Sequence, residues 1–559
     1  MRILLLAHTF NSLTQRLFSE LVALEHDVSV EFDISDTVSE EAVRLFRPDL
    51  IIAPYLKRAI PETIWLRHTC LILHPGIVGD RGPSALDWAI RDGLREWGVS
   101  VLQAEAEMDA GPVWAAATFP LRPGRKASVY RHETTEAAVR AVIAAVNRKS
   151  DPDFKPERVS GQSHPPMRQT DRAIDWQRDD SATVLAKINA ADSFPGVADT
   201  LFGQPCHLFD AVPESMLKGA PGSLIGRRET AICRATVNGA VWIGHIRPAG
   251  GIKLPATLAF PVAADLPELP LAGYWKSPAP TWQDIAYEEA AGVGFLSFEF
   301  YNGAMSTAQC QRLMAAFLWA AARPTSVIVL RGGSDFWSNG IHLNTIEAAD
   351  SPADESWANI NAMDDLAEAI LRCDTQLTVA AVGGNAGAGG CFLARAADFV
   401  WVRDGVMLNP HYKNMGNLYG SEFWTYLLPP RVGAAGARAM MRQRLPMLAV
   451  AAVKIGFYDA CLPARGFHVD VARRAVEMAA DPDIREKLAV KRAKRLADEA
   501  LKPLAAYRAE ELQEMNRNFY GFDPAFHVAR HRFVYRSAHS WTPLHLARHR
   551  DPARLVSHG

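Results

Sequence analysis

The sequence predicts an α/β protein with three folded parts and a helical C-terminal region. Strand and helix patterns alternate over residues 1–115 and again over 293–402, while short apolar runs broken by Gly and Pro fill 174–257. Alternation of this kind is typical of a sheet wrapped by helices, and short punctuated runs are typical of a small β-rich domain. From 481 to about 515 the composition favours helices.

The length of 559 residues also favours several domains, because one hydrophobic core seldom organises a chain of this size. Two polar, proline-rich stretches, 150–169 and 261–280, are typical of linkers. The predicted boundaries are 1–160, 170–260, a linker at 261–284, 285–480 and 481–559.

Composition and charge exclude several classes of protein. A net charge of -2 argues against nucleic-acid binding, and the apolar run at 3–7 is too short for a signal peptide. The later run at 315–322 is far below the ~18 residues that a membrane span requires. Seven scattered cysteines predict free thiols in a reducing compartment. We therefore expect a cytoplasmic chain that acts on small molecules, without a nucleic-acid or membrane partner.

The first part begins with a strand at Arg2–Ala7, and the turn after it lacks the glycines of a dinucleotide-binding GxGxxG motif. The elements that follow predict a parallel sheet. They are helix Leu13–Leu24, strand Val28–Phe32, helix Val38–Phe46, strands Leu50–Ala53 and Leu71–His74, helix Pro83–Arg95 and strand Val99–Ala104.

A histidine and an aspartate stand at the ends of two of these strands. His74 begins a glycine-rich loop, where ligands of open parallel sheets bind, and Asp109 precedes a glycine turn after the next strand. With His74-Pro75-Gly76 and Arg81-Gly82-Pro83, this pattern resembles the catalytic core of folate-dependent formyltransferases, which have a Rossmann-like sheet. The resemblance covers about 1–260, since 174–176 and 194–196 resemble the small C-terminal domain of methionyl-tRNA formyltransferases.

The formyltransferase resemblance implies that His74 and Asp109 polarise the formyl group and shuttle protons. It also places three residues in a folate-binding loop, Tyr55, Leu56 and Gly76. The asparagine of the family is replaced by Ile72, which has no amide to stabilise an oxyanion, a contribution of ~3 kcal/mol. Ordinary amine formylation is therefore disfavoured, and a thiol acceptor, which is a better nucleophile, is favoured.

The second alternating part contains two glycine-rich loops. Its predicted elements are strand Val293–Phe298, helix Ser306–Ala322 with a capping box, strand Ser326–Leu330, helix Met363–Arg372, and strands Leu377–Val382 and Phe399–Val402. The loops at 336–343 and 383–391 let backbone N–H groups approach a ligand. In this order they resemble the crotonase, or enoyl-CoA hydratase, superfamily over 285–480.

The crotonase resemblance implies that the N–H groups of Ile341 and Gly389 hold a thioester oxygen. The two glutamates of the hydratases are replaced by Phe392 and His411, so water addition to an enoyl thioester is disfavoured.

Two nearby residues are candidates to replace those glutamates. Glu422 lies beside the apolar stretch 423–428, where burial would raise its pKa and suit a proton donor or acceptor, although a helix-start carboxylate is an alternative reading. Tyr412 is either a core aromatic or a hydroxyl partner for a thioester or a carboxyl group.

Taken over the whole chain, the pattern resembles the HoxX (HypX) hydrogenase maturation proteins. The resemblance implies a bifunctional formyltransferase and formyl-CoA decarbonylase, a lyase-type activity. Formyl passes from 10-formyltetrahydrofolate to coenzyme A, and formyl-CoA is split to coenzyme A and carbon monoxide for the iron of [NiFe]-hydrogenase. We hypothesise that Glu422 and Tyr412 are the proton-transfer pair. The expected protein partners are the hydrogenase large-subunit precursor or maturation chaperones.

Two alternatives stay open. The second part could catalyse another acyl-CoA reaction, hydrolysis or isomerisation, or the chain could be a non-catalytic hydrogenase assembly factor. The histidines of the tail predict no metal site, because their spacing is irregular and lacks cysteines or paired carboxylates. A basic tail that is solvated or lies between domains is the simpler reading of His527, His531, His539, His545 and His549.

Overall fold

The computed structural model describes residues 1–551, which form two compact units. Residues 1–268 together with 538–551 make up the first unit, and 269–537 make up the second. Both units combine sheets with helices, so the predicted α/β class is confirmed.

The first unit contains a six-stranded sheet in the order β2-β1-β3-β4-β6-β7. Its strands are β1 (Arg2–Ala7), β2 (Asp27–Phe32), β3 (Leu50–Tyr55), β4 (Cys70–His74), β6 (Glu96–Gln103) and β7 (Val113–Pro120). A short parallel pair, β5 (Asp80–Arg81) and β8 (Gln162–Ser163), lies apart from the sheet. The helices of the unit are α1 (Ser12–Ala23), α2 (Asp36–Phe46), α3 (Glu62–Trp65), α4 (Ala85–Arg91), α5 (Lys126–Val129), α6 (Thr135–Lys149), α7 (Ser181–Ala191) and α8 (Ala256–Ala259).

This sheet is mixed rather than wholly parallel. Strands β1 to β4 pair in parallel, but β6 is antiparallel to both β4 and β7. The two-residue β5 and the seven-residue α4, about 10 Å long, lie between β4 and β6, and the chain enters β6 at the end of the sheet where β4 stops. Hydrophobic alternation along a sequence carries no strand direction, which is why the pattern suggested a parallel sheet.

The small β-rich domain predicted over 174–257 is a six-stranded antiparallel sheet. Its strands are β9 (Val197–Leu201), β10 (Gln204–Glu214), β11 (Leu224–Arg228), β12 (Ala231–Ala235), β13 (Ala240–Pro248) and β14 (Leu254–Pro255). The polar stretch before it is not a free linker, because β8 pairs with β5 and the side chain of Met167 is buried.

The tail segment 538–551 packs on the edge strand β2 of the first unit. The N–H of Val30 donates to the carbonyl of Leu546, and His549 Nε2 lies 2.9 Å from the buried carboxylate of Glu31. Burial alone would raise the pKa of Glu31, but hydrogen bonds from His549 and Arg550 hold it below its ordinary value. The basic residues of the tail therefore pair with a buried acid and cover a sheet edge.

The second unit is built on two sheets. The larger, in the order β15-β16-β17-β19-β21-β24, consists of β15 (Ile285–Ala290), β16 (Val293–Phe298), β17 (Val327–Arg331), β19 (Leu377–Val382), β21 (Phe399–Arg403) and β24 (Ala460–Leu462). The smaller consists of β18 (Phe336–Ser338), β20 (Asn385–Gly387), β22 (Met407–Asn409) and β23 (Met447–Leu448).

Eleven helices surround these sheets. They are α9 (Thr307–Ala321), α10 (Leu343–Ala348), α11 (Pro352–Arg372), α12 (Gly389–Arg395), α13 (Trp424–Leu427), α14 (Pro429–Arg442), α15 (Ala449–Lys454), α16 (Phe467–Ala479), α17 (Ile484–Leu501), α18 (Leu504–Tyr520) and α19 (Ala525–Val534). Helix α9 begins with the predicted capping box of Ser306 and Gln309. Within 1–551, no helix combines the length and the apolar composition that crossing a membrane requires.

The C-terminal helices of the second unit belong to its main core. Leu504, Met515 and Phe519 of α18 are buried in the same cluster as Phe392 and Tyr412. Helix α18 therefore packs directly beside the predicted second site.

Candidate active sites

The first site is centred on His74 at the carboxyl end of β4. Its Nε2 atom lies 2.8 Å from Asp80 Oδ2 and its Nδ1 atom lies 3.5 Å from Asp109 Oδ2. Asp109 has a left-handed backbone (φ 55°) and also accepts a hydrogen bond from the N–H of Gly82. The structure thus brings together the two predicted catalytic residues, and both ring nitrogens of His74 face a carboxylate.

A second histidine extends this cluster toward the surface. Asp80 Oδ1 lies 2.9 Å from Nδ1 of His164, whose side chain is 37% exposed, while the side chain of Asp80 is only 3% exposed. The pairing of β5 with β8 places these two residues in the site. The result is a continuous chain of alternating imidazoles and carboxylates from His164 to Asp109.

The predicted folate-loop residues lie at the same end of the strands as His74. Gly76 lines the His74–Asp80 contact so closely that a Cβ atom there would lie 2.4 Å from both side chains. Tyr55 and Leu56 stand at the end of β3, the strand next to β4. Ile72 projects from β4 on the same face as His74, because side chains alternate along a strand. An apolar side chain therefore occupies the position where the formyltransferases carry an amide.

The second site is formed where two glycine loops meet. A Cβ atom on Gly340 would lie 3.5 Å from the nitrogen of Gly389, so the two loops are adjacent. Ile341 is held in place because Met305 pairs with it and His342 donates its N–H to Asn359. Gly389 is the first residue of α12, so its N–H has no acceptor within the helix. This arrangement suits two N–H donors that converge on one oxygen.

Tyr412 and Glu422 meet beside Gly389. The Tyr412 hydroxyl donates to Glu422 Oε2 at 2.5 Å, and a Cβ atom on Gly389 would lie only 2.0 Å from Glu422 Oε1. Phe392 stacks on the Tyr412 ring with 5.9 Å between centroids. The structure therefore brings together four of the predicted residues, Ile341, Gly389, Tyr412 and Glu422. Phe392, which replaces a hydratase glutamate, lies against the tyrosine.

The acid at this site is strongly perturbed. Glu422 is 1% exposed, and burial, with the nearby charge of Asp364, raises its pKa well above the ordinary value. Burial also raises the pKa of Tyr412. The prediction that the surroundings of Glu422 raise its pKa agrees with the structure, and a neutral carboxyl group at this position can donate a proton.

Three family models match the chain. A formyl transferase model matches 24–146, a formyl transferase C-terminal domain model matches 166–260, and an enoyl-CoA hydratase/isomerase model matches 295–541. The hydrogenase maturation factor HoxX of Bradyrhizobium diazoefficiens is 52% identical over 98% of this chain and 97% of its own length. The chain belongs to the HoxX family of hydrogenase maturation factors.

Other relatives of this HoxX-family chain fit the same picture. HypX from Aquifex aeolicus, solved in complex with tetrahydrofolic acid, is 48% identical, with a TM-score of 0.96 over 99% of both chains. The methionyl-tRNA formyltransferase of Dechloromonas aromatica is 24% identical over 42% of this chain. The predicted family and the order of its formyltransferase and crotonase-like parts are confirmed.

Four polar residues near the sites of this HoxX-family member were not predicted from the sequence. Asp80 follows His74 by six residues, which was the one available signal, but His164 lies in a stretch that reads as a linker. Asp364 and Glu511 come from helices α11 and α18 and contact the backbone around Glu422. Within 1–551, no group of His, Cys, Asp and Glu side chains is arranged to hold a metal ion.

Proposed function

We propose that the first unit transfers formyl from 10-formyltetrahydrofolate to coenzyme A. The second unit then splits formyl-CoA into carbon monoxide and coenzyme A. The carbon monoxide would supply the iron of a [NiFe]-hydrogenase, whose large-subunit precursor or chaperones would be the protein partners. The relationship to HoxX along nearly the whole chain supports the pathway, and the Aquifex HypX complex supports folate as the donor. The observation that carries the second step is the buried Tyr412–Glu422 pair against Gly389.

In the first step, the thiol sulfur attacks the formyl carbon and the carbon–nitrogen bond of the folate breaks. His74, with Asp109, accepts the thiol proton and returns a proton to the leaving nitrogen, so the transfer is balanced. Ile72 offers no donor to the oxyanion, and an ionised thiol compensates because it is a stronger nucleophile than an amine.

In the second step, the carbon–sulfur and carbon–hydrogen bonds of formyl-CoA both break. Glu422 starts neutral and protonates the leaving sulfur, and its carboxylate then takes the formyl proton, which restores the starting state. The N–H groups of Ile341 and Gly389 orient the carbonyl. The Tyr412 hydroxyl, 2.5 Å from Glu422, stabilises the carboxylate while it exists.

A headspace assay for carbon monoxide tests this proposal. The protein receives 10-formyltetrahydrofolate with and without coenzyme A, or formyl-CoA alone. We expect carbon monoxide from the folate only when coenzyme A is present. His74→Ala should lose release from the folate but keep release from formyl-CoA, and Glu422→Gln should lose both. Full release by Glu422→Gln would contradict the assignment.

A rival activity for the second unit is hydrolysis or isomerisation of another acyl-CoA. The two N–H donors would polarise any thioester carbonyl, so the same site could serve such a reaction. A panel of thioesters separates the two: turnover of an acyl-CoA without carbon monoxide would favour the rival. Consumption of neither formyl-folate nor any thioester would instead favour a non-catalytic assembly factor.

A further inference from the structure

The loop that carries Glu422 has an unfavourable backbone. Glu422 and Phe423 have φ angles of 59° and 60°, and Gly420 has a φ of 96°. Two consecutive non-glycine residues in the left-handed region are disfavoured, and they persist only where surrounding contacts hold them.

Asp364 of α11 holds the first half of this loop. Its carboxylate accepts hydrogen bonds from the Ser421 hydroxyl at 2.8 and 2.9 Å and from the N–H of Glu422 at 2.8 Å. Asp364 is completely buried. It therefore fixes the backbone at the residue whose side chain reaches Gly389.

Glu511 of α18 holds the second half. It accepts from the N–H of Phe423 at 2.9 Å and from the N–H and hydroxyl of Thr425 at 2.7 and 2.5 Å. Glu511 is also completely buried. The two carboxylates together accept hydrogen bonds from five donors of residues 421, 422, 423 and 425, on both halves of the left-handed turn.

Within residues 1–551, these acids lack a full countercharge. The Arg508 guanidinium is 3.8 Å from Asp364 and is shared with two other carboxylates, those of Asp365 and Glu368. Burial raises the pKa of Asp364 to about 7 and that of Glu511 to about 8. The other titratable groups that face the cluster include Tyr412, Tyr419, Cys310 of α9 and Cys391 of α12.

We propose that Asp364 and Glu511 are positioning residues of the second site, which hold Glu422 over Gly389 with its proton in place. Helix α18 then belongs to the second site. The proposal rests on the proposed function, in which Glu422 is first a proton donor. It assigns the helical region after residue 480 a part in the chemistry.

The test compares Asp364→Asn, Glu511→Gln and the control Glu510→Gln, whose side chain on α18 is exposed. For carbon monoxide release from formyl-CoA, we expect the first two to lower kcat by about 10- to 100-fold with little change in KM. Neutralising Asp364 removes a charge that raises the pKa of Glu422. The alkaline limb of the kcat profile should therefore move to lower pH in Asp364→Asn.

Ser421→Ala is a second variant that keeps the test informative if Asp364→Asn or Glu511→Gln fails to fold. It removes the hydroxyl contact to Asp364 and keeps every charge. It should lower kcat and leave the alkaline limb in place. Infrared spectroscopy measures the protonation of Glu422 without substrate, from the carboxyl band that Glu422→Gln removes. This measurement stays informative even if the wild type releases no carbon monoxide. Unchanged kcat, pH limb and carboxyl titration in folded Asp364→Asn and Glu511→Gln would overturn the proposal.

Discussion

The two candidate sites lie in different units and hold their protons in different ways. Around His74, each carboxylate has a specific donor: Asp80 binds two imidazoles, and Asp109 faces an imidazole and a backbone N–H. Around Glu422, the carboxyl groups of Asp364 and Glu511 are also buried, and the nearby guanidinium of Arg508, 3.8 Å from Asp364, is shared with Asp365 and Glu368 outside the site. The first site is therefore suited to moving a proton between paired charges, and the second to keeping an acid neutral until it reacts.

This contrast follows from where each site is built. His74 stands at the carboxyl end of the interior strand β4, where a partly exposed His164 joins the cluster. Glu422 lies between helices α11 and α18 and the glycine loop at Gly389, where burial disfavours the charged form. We therefore expect the same residue type, a carboxylic acid, to take opposite roles in the two sites because the surroundings differ.

The largest expected effect is on the first site. His74→Ala removes the group that joins Asp80 to Asp109, so formyl transfer to coenzyme A should fall by about 10²- to 10⁴-fold. Release of carbon monoxide from supplied formyl-CoA should not change. His207→Ala, in the small β domain, is the matched control, and equal loss in both variants would contradict a specific role for His74.

A glycine substitution breaks the second site selectively. In Gly389→Ala the new methyl group meets the Glu422 carboxyl group, the movable end of a side chain, so the fold survives while the acid is displaced. Carbon monoxide release should fall by about 100-fold, whereas formyl transfer should persist. Gly436→Ala, within α14, should leave release unchanged; a Gly389→Ala variant with full release would show that Glu422 does not act at Gly389.

The alternating chain of the first site is tested at its middle and outer residues. Asp80→Asn weakens the hydrogen bond to His74 and should lower formyl transfer by about 10- to 100-fold, and His164→Asn by less. Initial rates of folate consumption measure both. An effect of His164→Asn as large as that of His74→Ala would make His164 a principal catalytic residue instead.

The last prediction concerns stability rather than rate. Because the pKa of Glu511 is raised from 4.5 to about 8, the folded state holds a proton that the unfolded chain releases across this window. The free energy of unfolding should fall as pH rises from 4.5 to about 8, by about 1.4 kcal/mol per pH unit for a full proton. Hydrogen exchange of the α18 amides, followed during denaturation at each pH, measures this free energy of unfolding. Glu511→Gln should flatten the slope; an unaltered slope would contradict the raised pKa.

Much of the fold was accessible from the sequence because its signals are local. The capping box at Ser306 and the apolar strands such as Arg2–Ala7 form as predicted, since each depends on neighbouring residues. His74 and Asp109 were identified because they stand in short motifs of a recognisable family. Tyr412 and Glu422 were identified as candidates because they lie near the replaced hydratase glutamates, and Glu422 also lies beside an apolar stretch.

The partners of those residues required the tertiary structure. His164 reaches Asp80 across 84 positions, and Glu511 reaches Phe423 across 88. Contacts of that separation depend on how strands and helices pack, and a linear pattern does not record it. The antiparallel direction of β6 was missed for the same reason.

The amino-acid sequence by itself determined the family, the order of the two enzyme-like parts and the reactive groups at their loops. Only the tertiary structure decided that Glu422 is buried beside Asp364 and Glu511 rather than capping a helix, and that His74 lies between two carboxylates. The physical reason is that side-chain identity sets which protons can move, whereas burial and neighbouring charge set when they move.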